Sequence, residues 1–198
     1  ICHCLVGSEM CIRDSYYVTP GNKDCADNLI KVFTEQLSDV VMGGPITYLV
    51  DDLPIKIASL DTTTSHDNRG LLDFKKIAAI DRVLSNNQDD PVIIFSHHPP
   101  FNLSSDNSPR FEFVNKNSIK LFNELVDRHS QIVALFCGHF HRPIRKRMGL
   151  FDANVAPPVC NLLDYSGTKN APNHIGNFQL HKFGKGHDFT TEIKMIFD

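Results

Sequence analysis

The sequence lacks the hallmarks of nucleic-acid-binding and membrane proteins. Its 20 basic and 23 acidic residues leave a formal net charge of only −3, which argues against a broad nucleic-acid-binding face. No stretch reaches the ~20 consecutive apolar residues that a membrane-spanning helix needs. We therefore expect neither a nucleic acid nor a membrane as a partner.

Several catalytic motifs are missing as well. The chain has no Gly-x-Ser-x-Gly element for a serine nucleophile, no P-loop and no Gly-x-Gly-x-x-Gly turn. It also has no His-Glu-x-x-His motif and no Cys-x-x-Cys pair. These absences argue against serine hydrolases, nucleotide-cradling folds, zinc proteases and a structural zinc site.

Disulfide-stabilised folds are also disfavoured. Three of the six cysteines fall in the first fifteen residues, and the other three, Cys25, Cys137 and Cys160, are widely spaced. Such spacing does not make a disulfide framework, so we expect a reducing, cytoplasmic location. The remaining composition, 41% hydrophobic and 22% charged over 198 residues, is that of a single globular domain.

The first fifteen residues have neither a helical nor a strand period. Residues 5–14, LVGSEMCIRD, resemble one reading frame of a transposon-type sequencing adaptor. We therefore expect residues 1–15 to be an artefact outside the fold, the alternative being a genuine cysteine-rich leader. The fold is then expected to occupy residues 16–198.

The hydrophobic pattern predicts an α/β centre followed by further strands. A short β-prone run at 16–19 comes first. Predicted helices lie at 26–37, 71–84 and 116–129. Predicted strands lie at 46–50, 55–60, 91–96, 132–136, 177–183 and 189–197.

Three polar clusters each follow a predicted strand. They are GNKD at 21–24, SHHPP at 96–100 and CGHFH at 137–141. Ligands of open α/β sheets bind outside the carboxyl ends of the strands, so these clusters are expected to share one site. Taken alone, the histidine motifs are typical of surface or core histidines, and Gly21-Asn22 is typical of a turn. The hypothesis rests on their combination and order.

Metal binding is the chemistry that this combination favours. Imidazole nitrogens bind zinc, iron and manganese, and an amide oxygen adds a harder donor. In extended backbone, His139 and His141 would point to one side while Phe140 points into the packing. Pro99 and Pro100 would stiffen the turn after His97.

The order of these motifs resembles the second half of the calcineurin-like metallophosphoesterases. The matching text includes VTPGNKD, PVIIFSHHPPF and FCGHFHRP, and the spacing is most similar to the class III cyclic-nucleotide phosphodiesterase branch. The resemblance implies a four-layer α/β/β/α sandwich. It also implies that this chain is the C-terminal part of the domain, with the first strands missing.

The resemblance also implies a set of site residues. Two divalent ions, manganese, iron or zinc, would be bridged by an Asp from a motif that this chain does not contain. Asn22, His97 and His139 would bind one ion and His141 the other, whereas His98 would be a neighbour. Lys23 and Asp24 would occupy the catalytic positions.

One of these positions departs from the family pattern, because Lys23 stands where the family has a histidine that stabilises charge or protonates the leaving oxygen. A lysine offers a cation to phosphoryl oxygens but is a poor general acid near neutral pH. Asp24 beside it would tend to keep the ammonium charged.

The expected function is hydrolysis of a small phosphodiester, such as a 3',5'-cyclic nucleotide, by an activated water. A catalytically weak or inert scaffold on the same fold is the alternative, and Lys23 favours it. A related phosphomonoesterase or pyrophosphatase would differ only in substrate. The oligomeric state is not predicted.

Overall fold

The computed structural model describes residues 16–65, 67–103, 113–159, 177–184 and 189–195. The expectation for residues 1–15 lies outside this part of the chain. The helices are α1 (Ala26–Val32), α2 (Phe74–Ser85) and α3 (Asn117–Arg128). The strands are β1 (Tyr48–Val50), β2 (Lys56–Leu60), β3 (Val92–Ser96), β4 (Ile132–Cys137), β5 (Ile144–Met148), β6 (Phe151–Val155), β7 (Asn177–Phe183) and β8 (Phe189–Met195).

Six of the strands form one mixed sheet in the order β1-β2-β3-β4-β6-β5. The four inner strands are parallel, and the edge strands β1 and β5 run antiparallel to their neighbours. Leu60, Ser96 and Cys137 end β2, β3 and β4 at the same edge of the sheet. The polar clusters at 96–100 and 137–141 therefore leave the sheet side by side.

Helices α2 and α3 cover one face of this sheet. Their inward residues, including Ile80 and Phe122, are fully buried with apolar residues of β2, β3 and β4. The carboxylate of Asp73 accepts a 3.0 Å hydrogen bond from the backbone N–H of Lys76 and so caps the start of α2. The apolar runs of the inner strands are buried because both faces of the sheet are covered.

The β7–β8 hairpin packs on the opposite face. Phe183 and Phe189 contact a buried cluster that contains Ile93 and Phe136 of the large sheet. Helix α1 covers the neighbouring part of that face, against a cluster that includes Tyr48. The described residues thus form three successive layers of helix, sheet and sheet. In this part of the chain, no helix has the length and apolar character needed to cross a membrane.

The β-prone run at 16–19 is not a strand, and this prediction was wrong. The backbone of Val18 bonds instead to a side chain, the hydroxyl of Tyr48, which accepts from its N–H at 3.0 Å and donates to its C=O at 2.6 Å. The hydroxyl thus takes the place of a neighbouring strand, and it brings the following loop towards the carboxyl edge of the sheet.

Candidate metal centre

The three motif-bearing loops meet at one point. Nε2 of His97 lies 3.1 Å from Oδ1 of Asn22 and 3.1 Å from Nδ1 of His139. One amide oxygen and two imidazole nitrogens therefore converge, each from a different loop. The structure thus brings the three polar clusters together at the carboxyl edge of the sheet, and their role as a binding site stays a prediction.

His97 is held from both sides by glycine backbone. The N–H of Gly138 donates a 3.0 Å hydrogen bond to the C=O of His97. A Cβ on Gly21 would lie 3.3 Å from Nδ1 of His97, so the absence of a side chain lets this loop approach the ring closely. The carboxylate of Asp24 accepts a 2.7 Å bond from the N–H of Gly21 and closes the loop.

The backbone of the His-x-His motif is not extended, and this part of the prediction was wrong. His139 and His141 adopt left-handed conformations, with φ values of 65° and 55°. The N–H of Phe140 donates to the C=O of Gly138 at 2.7 Å, which marks a tight turn. Phe140 is buried in the main core, as predicted. The strained turn, rather than strand alternation, orients the two histidines.

His141 supplies a further observation in favour of a ligand. Its Nδ1 is buried and has no hydrogen-bond partner among the described residues. The ring lies close enough to His97 for a positive charge on it to lower the pKa of His97. A buried imidazole nitrogen without a partner costs free energy, and a bound cation would satisfy it.

His98 has a different environment from His97, although His97, His98 and His139 have nitrogens within 4.8 Å of one another. His98 is fully buried, and both of its ring nitrogens have partners. Nδ1 lies 2.9 Å from Oγ1 of Thr62, and Nε2 lies 3.0 Å from the backbone C=O of Asn68. These contacts are those of a neutral residue that supports the site, and the assignment of His98 as a neighbour of the metal ligands stays a prediction.

Burial keeps the central histidines neutral. Burial, together with the charge of the neighbouring His139, lowers the pKa of His97 to about 4 and that of His98 to about 3. A neutral imidazole has a free lone pair, which is the form that binds metal ions. No proton therefore has to leave His97 near neutral pH before its nitrogen can act as a ligand.

The two predicted catalytic residues, Lys23 and Asp24, lie next to the cluster of Asn22, His97 and His139 but are not part of it. The ammonium of Lys23 donates a 2.7 Å hydrogen bond to Oδ1 of Asn68. The carboxylate of Asp24 lies near enough to His97 to favour its charged form. Sequence reasoning missed Thr62 and Asn68, although both lie in the loop after β2, at the same sheet edge. Their position after a buried strand is the feature of the sequence that could have indicated a place at the site.

The donors present fit a divalent ion of the manganese, iron or zinc type. Asn22, His97 and His139 would be its ligands, and His141 would lie close by. No carboxylate belongs to the histidine cluster found in the described part of the chain. Ligation by nitrogen and amide oxygen alone favours a transition metal over calcium or magnesium.

Comparison with known proteins finds relatives that are named phosphodiesterases. No protein-family model matches the chain. It is 29% identical over 131 residues to the "Probable glycerophosphodiester phosphodiesterase GpdQ" of Arcobacter nitrofigilis, which covers 64% of this chain and 45% of that protein. It is 28% identical over 133 residues to the glycerophosphodiester phosphodiesterase GpdQ of Enterobacter lignolyticus, covering 66% and 46%.

A third similar protein is the 3',5'-cyclic-nucleotide phosphodiesterase of Nostoc sp., 24% identical over 91% of this chain and 65% of that protein. The chain thus spans about half to two thirds of the curated relatives it matches. Among solved structures, a dimetal phosphatase from Danio rerio matches with a TM-score of 0.53 and 14% identity, over 66% of this chain and 55% of that one. The α/β fold predicted from the sequence is therefore confirmed as one shared with a dimetal phosphatase.

Proposed function

We propose that this chain is part of a metal-dependent phosphodiesterase whose substrates are small phosphodiesters. The observation that carries the proposal is the convergence of two donors on Nε2 of His97, since Oδ1 of Asn22 and Nδ1 of His139 each lie 3.1 Å from it. The names of the similar proteins, glycerophosphodiester and cyclic-nucleotide phosphodiesterases, support the same substrate class.

Asn22, His97 and His139 would hold one divalent ion, and His141 would bind a second. A divalent ion bound there supplies electrostatic polarisation of a phosphoryl oxygen. The protein fixes the ligands in advance, because each is anchored to the end of a strand or to a glycine contact. His98 would keep this arrangement in place through its bonds to Thr62 and Asn68.

Lys23 would contribute a positive charge next to the substrate. Lys23 is exposed, and its ammonium bonds to Asn68, which also accepts a bond from the side chain of Asn22. An ammonium is a good point-charge partner for a phosphoryl oxygen. It is a poor proton donor to a leaving oxygen near neutral pH, so we infer binding of the phosphodiester with slow hydrolysis, about 10²–10⁴-fold below a site with a general acid.

We favour a 3',5'-cyclic nucleotide as the substrate, and the similarity to the Nostoc protein over 91% of this chain supports this choice. A glycerophosphodiester is the second candidate. It is supported by the higher identity, 29% and 28%, to the two proteins of that name.

The test is an assay, with Mn²⁺, of the full-length protein that contains this chain, against cyclic AMP, glycerophosphocholine and p-nitrophenyl phosphate. We expect the two diesters to be hydrolysed in preference to the monoester, and hydrolysis to stop after chelation. The His139→Ala variant should be inactive, whereas the matched His129→Gln variant should retain activity because His129 lies at the opposite end of β4. Equal rates with and without the metal would contradict the proposal.

The inert scaffold is distinguished by calorimetry on the same samples. A chain that binds Mn²⁺ or Zn²⁺ and hydrolyses none of the three substrates would support the scaffold. A protein that binds neither ion and hydrolyses none of the substrates would also support the scaffold and would contradict the metal-dependent phosphodiesterase.

A further inference from the structure

We propose that Asn68 is a positioning residue that orients Lys23 and Asn22 against the buried ring of His98. Any effect of Asn68 on hydrolysis rests on the proposed function, whereas its effect on the position of Lys23 does not depend on that function. The Asp67-Asn68-Arg69 sequence is not a catalytic motif, but Asn68 contacts three polar residues of the site.

Three polar side chains of the site contact Asn68. Its side-chain Oδ1 accepts the 2.7 Å bond from the ammonium of Lys23. Its backbone C=O lies 3.0 Å from Nε2 of His98 and accepts a 3.3 Å bond from Nδ2 of Asn22. Asn68 therefore joins the GNKD loop to the histidine that follows His97 in the chain.

The bond to Asn22 has a directional consequence. Because the amide nitrogen of Asn22 is turned towards the C=O of Asn68, its Oδ1 is turned towards Nε2 of His97, 3.1 Å away. The oxygen is the atom that binds a metal ion, and the nitrogen is not. The backbone of Asn68 thus selects the useful orientation of the Asn22 amide.

Asn68 can act in this way because its own segment is firmly held. The N–H of Leu71 donates to the C=O of Thr62 at 2.9 Å, which closes the loop. Next to Asn68, the guanidinium of Arg69 donates hydrogen bonds of 2.6 and 3.0 Å to the carboxylate of Asp67. These bonds lower the pKa of Asp67 to about 2. A turn bonded on both sides leaves Asn68 little freedom.

The segment is also pressed against His98. A Cβ added to Gly70 would lie 2.9 Å from Cβ and Cγ of His98 and 2.8 Å from the ring of Phe113. Such distances do not occur in real contacts, so the backbone at Gly70 is as close to His98 as it can be. This contact fixes the distance between Asn68 and the histidine.

The hydrogen bond to Asn68 restricts the side chain of Lys23. A lysine side chain has many rotamers, so an exposed lysine without a partner samples many positions. The bond to Asn68 holds its ammonium beside Asn22. We infer that Asn68 is what turns a surface lysine into a defined charge at the edge of the site.

The test measures the rate at which acetic anhydride labels each lysine, read by peptide mass spectrometry at one pH. The matched control is Lys120, an exposed lysine of α3 whose ammonium lies 3.6 Å from Glu124. In the Asn68→Ala chain, we expect labelling of Lys23 to rise about fivefold and labelling of Lys120 to stay unchanged. The Asn68→Asp chain keeps an acceptor and should protect Lys23 as well as the original residue.

Calorimetry with Zn²⁺ adds a second readout. Asn22 and His98 contact the backbone of Asn68, so Asn68→Ala should leave the affinity for Zn²⁺ within about twofold. If diester hydrolysis is found, the same variant should raise KM more than it lowers kcat. Unchanged labelling of Lys23, or failure of Asn68→Asp to restore protection in a chain of normal melting temperature, would overturn the inference. Because labelling needs no turnover, a chain without hydrolysis refutes only the proposed function.

Discussion

Nε2 of His97 lies 3.1 Å from Oδ1 of Asn22, although 75 positions separate the two residues in the chain. The contact joins a loop with no strand of its own to the end of a central strand. Since it brings together a nitrogen and an oxygen of the kinds that ligate metals, its loss should be measurable in metal binding.

Removing the imidazole of His97 should weaken metal binding. We expect His97→Ala to lower the affinity for Zn²⁺ by more than about 100-fold, because ligands contribute more than the residues around them, which typically account for 10–100-fold. Isothermal calorimetry measures this. The His129→Gln chain serves as the control, since His129 pairs with Asp81 at 2.9 Å, away from the site. Equal affinities in the two variants would refute the assignment of His97.

The hydroxyl of Thr62 should matter for stability. It lies 2.9 Å from Nδ1 of His98 and accepts the backbone N–H of His98 at 3.1 Å, and all of these groups are buried. Thr62→Val keeps the shape and leaves two polar groups unsatisfied, which should cost about 1–3 kcal/mol in the free energy of unfolding. Urea denaturation gives the value.

The exposed Thr190 of β8 provides the comparison for that experiment. Thr190→Val should change the free energy of unfolding by less than about 0.5 kcal/mol. A Thr62→Val chain as stable as the Thr190→Val chain would show that the hydroxyl is not needed.

A methyl group at position 70 should not be accommodated. Gly70→Ala places Cβ 2.9 Å from His98 and 2.8 Å from Phe113, so the backbone or the rings must shift, at a cost of about 1–3 kcal/mol or more. Gly138→Ala is the matched substitution, because its Cβ would have its nearest neighbour at 3.7 Å. We expect thermal denaturation to show a clearly lower melting temperature for the first variant than for the second.

Acid should destabilise the protein partly through His181. Burial of this ring against Phe136 and Phe189 lowers its pKa to about 4, below the ~6.5 of an unfolded chain. Between these pH values the unfolded chain binds the proton more readily than the folded chain. The stability that His181 contributes is therefore lost as the pH falls from about 6.5 to 4, and this contribution is constant above that range.

The variant His181→Phe isolates this contribution. Unfolding free energies measured in urea at pH 7.5 and pH 4.5 should differ less in the variant than in the original chain. Asp81, whose pKa is lowered chiefly by its hydrogen bond to His129, adds a loss at still lower pH in both proteins. An unchanged difference between the two pH values would contradict the contribution of His181.

The residue at position 23 should set the rate of any hydrolysis. Lys23→His introduces a general acid where the lysine offers only a charge, and we expect the rate on phosphodiesters to rise, by up to about 10²–10⁴-fold. Steady-state assays with Mn²⁺ measure the change. A variant with unchanged or lower activity would argue against a general-acid role at this position.

Much of the fold follows from the sequence, since the buried runs of β3 and β4 are apolar on both faces and their pattern is unambiguous. The clusters after these strands could be placed together for the same reason. The hydrophobic pattern does not predict strand β5, Ile144–Met148, because its charged residues are typical of a solvated edge strand.

What the sequence did not show depends on contacts between distant residues. The run at 16–19 has a strand composition, but its backbone bonds to the hydroxyl of Tyr48. The left-handed turns at His139 and His141 could not be predicted, since neither residue favours positive φ as glycine does. Asn68 acts through its backbone as much as its side chain, so its residue type carries little information.

The parallel register of β2, β3 and β4 has a consequence for how tightly the site can bind. Neighbouring strands lie about 4.8 Å apart, so the ends of β3 and β4 hold His97 and His139 together before any ion arrives. The chain entropy of joining them is lost on folding rather than on binding. Affinity at the site is therefore tied to the folded fraction, and a saturating ion should raise the melting temperature in proportion to the logarithm of its concentration.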